Sequence, residues 1–203
     1  MILIGQYDSP FVRRVGIALT LYALPFQHRP WSVFSDADKV CAVNPLMRVP
    51  VMVLPDGLAL TDSHMILDHL DGLVEAPLFP RSGRARTLAL RRAALVCGAA
   101  EKAVSLFYER RLHEAPSALW EDRCKTQIAG TLDALEAEAA AGQWQADRIG
   151  HDDIALACAI GFIAEAHATT FDLSRWPQIA ARARAMEALP AFRAVRQPFL
   201  PPS

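Results

Sequence analysis

The strongest constraint in this sequence is the order in which its hydrophobic period changes between Met1 and Leu73. "MILIGQ" is a short apolar run, and "PFVRRVGIALTLYAL" places apolar residues at three- and four-residue steps. "FQHRPW" suits an extended edge, and "SDADKVCAV" reads as a short capped helix. Two further apolar runs, "VPVMVLP" and "LALTD", are joined by Pro55-Asp56-Gly57, residue types that make a tight turn and therefore an antiparallel hairpin. "SHMILDHLDGL" closes the series as a helix. The order is βαβαββα, which buries a four-stranded mixed sheet against helices.

After Leu73 the pattern is different. "VEAPLFPRSGRAR" holds two prolines and a glycine in an irregular stretch and reads as a connection. Beyond it the chain is helical in character, rich in Ala and Leu, and interrupted at Pro116, Gly142, Gly150, Pro177 and Pro190. The expected organisation is an α/β domain over 1–75, a linker over 76–85 and an all-α domain over 86–203. With 203 residues and 52% hydrophobic content, there is enough apolar material for a sizeable core. Lys and Arg number 21 against 22 Asp and Glu, a net charge of -1, so the positive excess that nucleic acid or an anionic membrane calls for is missing. Neither is expected as a partner. The N-terminal run lacks a basic segment leading into a long apolar stretch, and no apolar run approaches the ~20 residues of a membrane span. A cytoplasmic location is the expectation. Cys41, Cys97, Cys124 and Cys158 form no CxxC pair and fit reduced, mostly buried thiols better than a disulfide framework or a zinc site.

The order of elements, with Val49-Pro50 before the third strand and Asp62-Ser63 before the third helix, resembles the cytosolic glutathione transferase superfamily over essentially the whole chain. The specific signal is "NPLMRVP" with "LTDSHMILDHL" at its fixed distance. "SPFVRRV" is similar to the "SPFVRKV" first turn of bacterial transferase-like proteins. The resemblance implies a thioredoxin-like N-terminal domain, an all-helical C-terminal domain, glutathione as co-substrate, a small electrophilic substrate, a role in detoxification and a homodimer. A binding or regulatory protein on the same fold, or a glutathione-dependent isomerase, is the alternative. The maleylacetoacetate type of isomerase typically carries Ser-Ser-Cys in its first turn, where this chain reads Asp8-Ser9-Pro10.

The resemblance also assigns residues, each of which has a plainer reading. Pro50 would follow a cis bond that presents the Val49 backbone to the cysteinyl unit of glutathione by strand addition; otherwise it merely opens a strand. Ser63 and its helix N-terminus would receive the γ-glutamyl carboxylate, with Asp62 facing the α-ammonium group; Ser and Asp at such a place are also ordinary caps. Arg48 would reach the glycyl carboxylate or remain a solvated cation. Phe11, Phe107, Tyr108 and Arg111 would line the electrophile pocket, although aromatic residues at helical spacing also serve as core. "IGHDDIALACAIGF" resembles the family's buried capping box, with Gly150 in place of the usual hydroxyl cap and Asp153 three residues on. The acids of His151-Asp152-Asp153 suit the first turn of a helix. His64, Asp68 and His69 have no fourth ligand nearby, and no metal site is expected.

Ser9 stands where a thioredoxin-like fold keeps its first redox cysteine, and Val12 takes the second place. With no dithiol, the sulfur must come from outside. Ser9 then becomes the hydrogen-bond donor to a bound thiolate, with Tyr7 as the competing donor.

Overall fold

The computed structural model describes residues 1–144 and 148–199. They form two compact units, one of Met1–Arg81 with the segment from Ala188 onward, the other of Ser82–Glu187.

The first unit has strands β1 (Ile2–Ile4), β2 (Gln27–Arg29), β3 (Val51–Val53) and β4 (Ala59–Thr61), and helices α1 (Pro10–Leu21), α2 (Ala37–Val43) and α3 (Ser63–Gly72). The sheet order is β2-β1-β3-β4. β1 runs parallel to β2 and antiparallel to β3, which pairs antiparallel with β4. The βαβαββα order is the one read from the changing periods, and the arrangement is the thioredoxin-like one that the resemblance implied. The β3–β4 turn uses its residue types as expected: Gly57 has φ +90° and its N–H donates to the Leu54 carbonyl at 3.0 Å. α1 and α3 press Val12, Val15, Leu19, Ile66, Leu67 and Leu70 onto Leu3 and Met52 of the sheet. Each such side chain taken from water contributes about 1.5–3 kcal/mol.

The second unit is helical: α4 (Gly83–Leu112), α5 (Ala118–Ala140), α6 (His151–Ala166), a 3₁₀ turn at Leu173–Arg175 and α7 (Pro177–Glu187). α4 packs against both α5 and α6. Its inner face is built of Ala89, Ala93, Ala99, Ala100 and Ala103, short side chains that let α6 approach closely. α6 is apolar nearly all round and buried along most of its length, as a central helix must be. Cys97, Cys124 and Cys158 are buried and Cys41 is exposed. Among the described residues, no helix is long and apolar enough to cross a membrane.

The C-terminal boundary differs from the sequence expectation of a helical domain running to 203. The chain leaves the helical unit after Glu187, and α8 (Pro190–Ala194) packs against α1. The cause lies on α1. The buried Arg13 side chain donates to the Val195 carbonyl at 2.8 Å and to the Phe192 carbonyl at 3.2 Å. Gly16 leaves room for Val195, whose Cγ1 would lie 2.7 Å from a Cβ there.

Candidate functional site

Three loops meet at one edge of the sheet. The register pairs Ile4 with Val51 and Val51 with Thr61, so the loops leaving β1, entering β3 and leaving β4 lie side by side. That row brings Gly5, Val49-Pro50 and Asp62 together, and α1 and α3 both start beside it. The Val49-Pro50 bond is cis. Gly5 lets the loops close up: its φ is +125°, and a Cβ on it would stand 2.5 Å from Val12 Cγ2 and 2.8 Å from Val49 Cβ.

Ser9 caps α1. Its hydroxyl accepts from the Val12 N–H at 3.4 Å, and Pro10 supplies the helix's first residue with no N–H to satisfy. A hydroxyl has one proton and two lone pairs, so the long cap bond occupies a lone pair and leaves the O–H able to donate. Capping and holding an anion are therefore compatible in one residue. Ser9 and Phe11 are both half-buried.

Tyr7 packs between α1 and β2. Its ring stacks on His28 with centroids 3.8 Å apart and planes at 12°. Its Cε1 would lie 2.8 Å from a Cβ at Gly16, midway along α1. Burial pushes the phenol up to about 12. His28 in turn donates from Nε2 to the Gly5 carbonyl at 2.8 Å, fixing the ring against which Tyr7 stacks.

Asp62 caps α3, its Oδ1 accepting from the His64 N–H at 2.7 Å. It does so with φ +67°, a left-handed conformation that costs a non-glycine residue about 1 kcal/mol or more and often marks a functional position. Its side chain is exposed, whereas Ser63 is buried. Arg48 is exposed. Among the described residues, no backbone hydrogen bond engages Val49. Phe107, Tyr108 and Arg111 belong to the second unit, near the end of α4; the two rings tilt at 56° with centroids 6.0 Å apart, and Arg111 is exposed.

The profile described as glutathione S-transferase, N-terminal domain, matches residues 3–78. A glutathione transferase family member from Pseudomonas fluorescens Pf-5, solved with bound glutathione, is 32% identical over 98% of this chain and 99% of its own, with a TM-score of 0.88. The chain belongs to the glutathione S-transferase superfamily. A glutathione transferase from Methylobacterium radiotolerans, solved with glutathione sulfonate, is 29% identical, covers 100% of this chain and 97% of its own, and superposes with a TM-score of 0.92. Among curated proteins, the uncharacterized GST-like protein YibF of Escherichia coli (strain K12) is 29% identical over 80% of this chain and 82% of its own.

Two supports of this glutathione transferase fold escaped the reading of the sequence. Asn44, buried at the head of "NPLMRVP", donates from Nδ2 to the Arg48 carbonyl at 2.8 Å and to Thr61 Oγ1 at 3.0 Å, and accepts from the Leu46 N–H at 3.1 Å. It ties the loop before Val49 to the end of β4. Arg14, 1% exposed on α1, donates to Ser63 Oγ at 3.3 Å. A guanidinium only donates, so this bond takes a lone pair of Ser63 and turns its proton elsewhere. Asn44 stood inside a quoted motif; Arg14 gave no sign, because adjacent arginines on a helix read as solvated charges.

Proposed function

We propose that the protein is a glutathione transferase that binds glutathione at this edge of the sheet and holds its thiolate for attack on small electrophiles. The observation that carries the reading is the convergence of the Ser9 hydroxyl, the Val49 backbone and the α3 N-terminus on one row of the sheet, in a chain whose full-length relatives were solved with glutathione or its sulfonate. Ser9 donates to the thiolate, the Val49 backbone pairs with the cysteinyl unit, and Ser63 with the first turn of α3 receives the γ-glutamyl carboxylate. Asp62 faces the α-ammonium group and Arg48 the glycyl carboxylate. The family resemblance assigns Phe11, Phe107, Tyr108 and Arg111 to recognition of the electrophile. Ser9 is preferred to Tyr7, the competing donor, and the packing of the Tyr7 ring against Gly16 and His28 supports that choice.

A bond to a charged group contributes about 1.5–3 kcal/mol, or about 1–2 units in the thiol pKa from a start near ~8.5. A two-unit drop raises the thiolate fraction at neutral pH from roughly 3% to roughly 75%. Nucleophilicity falls with basicity at a slope of ~0.4–0.5, so the net gain from ionisation is only several-fold. Holding sulfur against carbon in line contributes more. In the step itself the thiol proton goes to solvent, a sulfur–carbon bond forms, and the leaving group departs with its electron pair.

Leu46, Met47 and Met65 are exposed apolar side chains, at 65%, 45% and 60%, which supports a second copy of the chain as partner, and we assign the protein to the cytoplasm as a detoxifying homodimer. The test is calorimetric titration with glutathione followed by turnover on a panel of electrophiles and peroxides. Binding with conjugation or reduction is expected. Binding without turnover on any member supports the regulatory alternative, and no binding removes the reading.

A further inference from the structure

We propose that the C-terminal segment of the chain braces the turn that carries Ser9, with Gln197 as the positioning residue. The Tyr7 N–H donates to Gln197 Oε1 at 3.1 Å, a bond between residues 190 apart in sequence. Tyr7 and Asp8 form the turn between β1 and α1, and Ser9 follows directly, its own N–H donating to the Gln6 carbonyl at 3.2 Å. A displacement of Tyr7 therefore passes to the Ser9 hydroxyl through two residues. The long cap bond of 3.4 Å does little to resist it.

The segment is itself held to α1 at defined points. Arg13, one turn beyond Ser9, fixes the carbonyls of Phe192 and Val195. Val195 and the Tyr7 ring both lie against Gly16, where a Cβ would meet Val195 Cγ1 at 2.7 Å and Tyr7 Cε1 at 2.8 Å. Gln197 follows two residues later and reaches the turn. Helix, tail and turn thus close a ring: α1 holds the tail through Arg13, the tail holds Tyr7 through Gln197, and Tyr7 leads back into α1 through Ser9. Hydrogen-bond donation to a sulfur anion tolerates a misplacement of only about 0.5 Å, so a turn fixed from one side only would not keep the hydroxyl in place.

The inference rests on Ser9 holding the thiolate, and two readouts separate it from that reading. Gln197→Met keeps the length of the side chain and removes the acceptor; Gln197→Glu keeps an acceptor. In the ligand-free protein, amide hydrogen exchange at Tyr7 should speed up roughly five- to tenfold in Gln197→Met, the loss of one ordinary hydrogen bond, and return toward the parent in Gln197→Glu. With glutathione bound, the apparent thiol pKa, followed by thiolate ultraviolet absorbance, should rise in Gln197→Met. Unchanged Tyr7 exchange in Gln197→Met overturns the brace. Faster exchange with an unmoved thiol pKa, in a protein that does lower that pKa, overturns the positioning role. A parent that binds no glutathione overturns the proposed function alone, and the exchange measurement still decides the brace.

Discussion

The N-termini of α1 and α6 are built from similar materials and finished in opposite ways. At α6, Asp153 accepts from the Gly150 N–H at 2.9 Å through one oxygen and from Arg182 Nε at 2.6 Å through the other. Arg92 bonds Glu138 at 2.6 Å and approaches Asp152 at 3.6 Å, while Arg92 and Arg182 lie 5.1 and 5.2 Å from the Trp144 ring. These groups are largely buried and paired within the unit. At α1, a half-buried serine accepts one long bond and keeps a proton to give. A helix end saturated by its own chain supports the fold, and one left partly unsatisfied at a loop junction can take a ligand.

The largest effect on this contrast is expected from Arg92→Met, which takes their shared cation from Glu138 and Asp152 and leaves Glu138 only Arg91 at 2.8 Å, a side chain about half exposed. Breaking such a buried pair costs about 3–5 kcal/mol, measured by chemical denaturation, while the thiol pKa of glutathione bound to the folded fraction should stay at the parent's value. Gly5→Ala should come next, at about 2–3 kcal/mol, because the new methyl is caught between Val12 and Val49 at φ +125°. Unlike Arg92→Met, it should weaken glutathione binding together with stability. A glutathione affinity untouched by Gly5→Ala would show that the Val49 loop is not part of the site.

The α6 end carries its own pH signature. Burial, and then the charge of Asp153, push Asp152 up to about 6, since Arg92 is already committed to Glu138. The folded-state value lies above the ordinary 3.8, so the folded chain binds this proton more tightly than the unfolded one. The resulting stabilisation is complete below pH ~3.8 and is lost as pH rises through ~6. Asp152→Asn should therefore melt higher than the parent at pH 7.5, by a margin of about 1–3 kcal/mol that narrows toward pH 4. A margin independent of pH would remove Asp152 as the titrating group. At the α3 end, Ser63→Ala should weaken glutathione binding by about 1–3 kcal/mol and lower stability by less. Equal affinity in mutant and parent would take Ser63 out of the site.

How far the sequence reveals these two ends differs for a physical reason. Strand and helix periods, the Pro55-Asp56-Gly57 turn and the Ser9 and Asp62 caps are local, and local patterns are visible in a single chain. Asp153 was expected in a buried capping box and the α6 acids as first-turn residues answering the helix dipole; their ion-pair partners Arg92 and Arg182 lie 60 and 29 residues away from Asp152 and Asp153 and could not be read. The tail on α1 was hidden for the same reason: Arg13 meets Phe192 and Val195 only after the chain has passed through the whole helical unit. Gly16 and Gly5 each mark a close approach, but a glycine does not name the residue that approaches it.

Ser9→Ala should have the smallest effect on stability, about 1 kcal/mol for a lost cap. Its effect on the bound thiol decides whether Ser9 holds the sulfur. Thiolate absorbance of bound glutathione, titrated against pH in parent and Ser9→Ala, should show the apparent thiol pKa higher by about 1–2 units in the variant. The same pKa in both proteins, with only the cap's stability lost, would contradict the account and leave Ser9 as the end of a helix and nothing more.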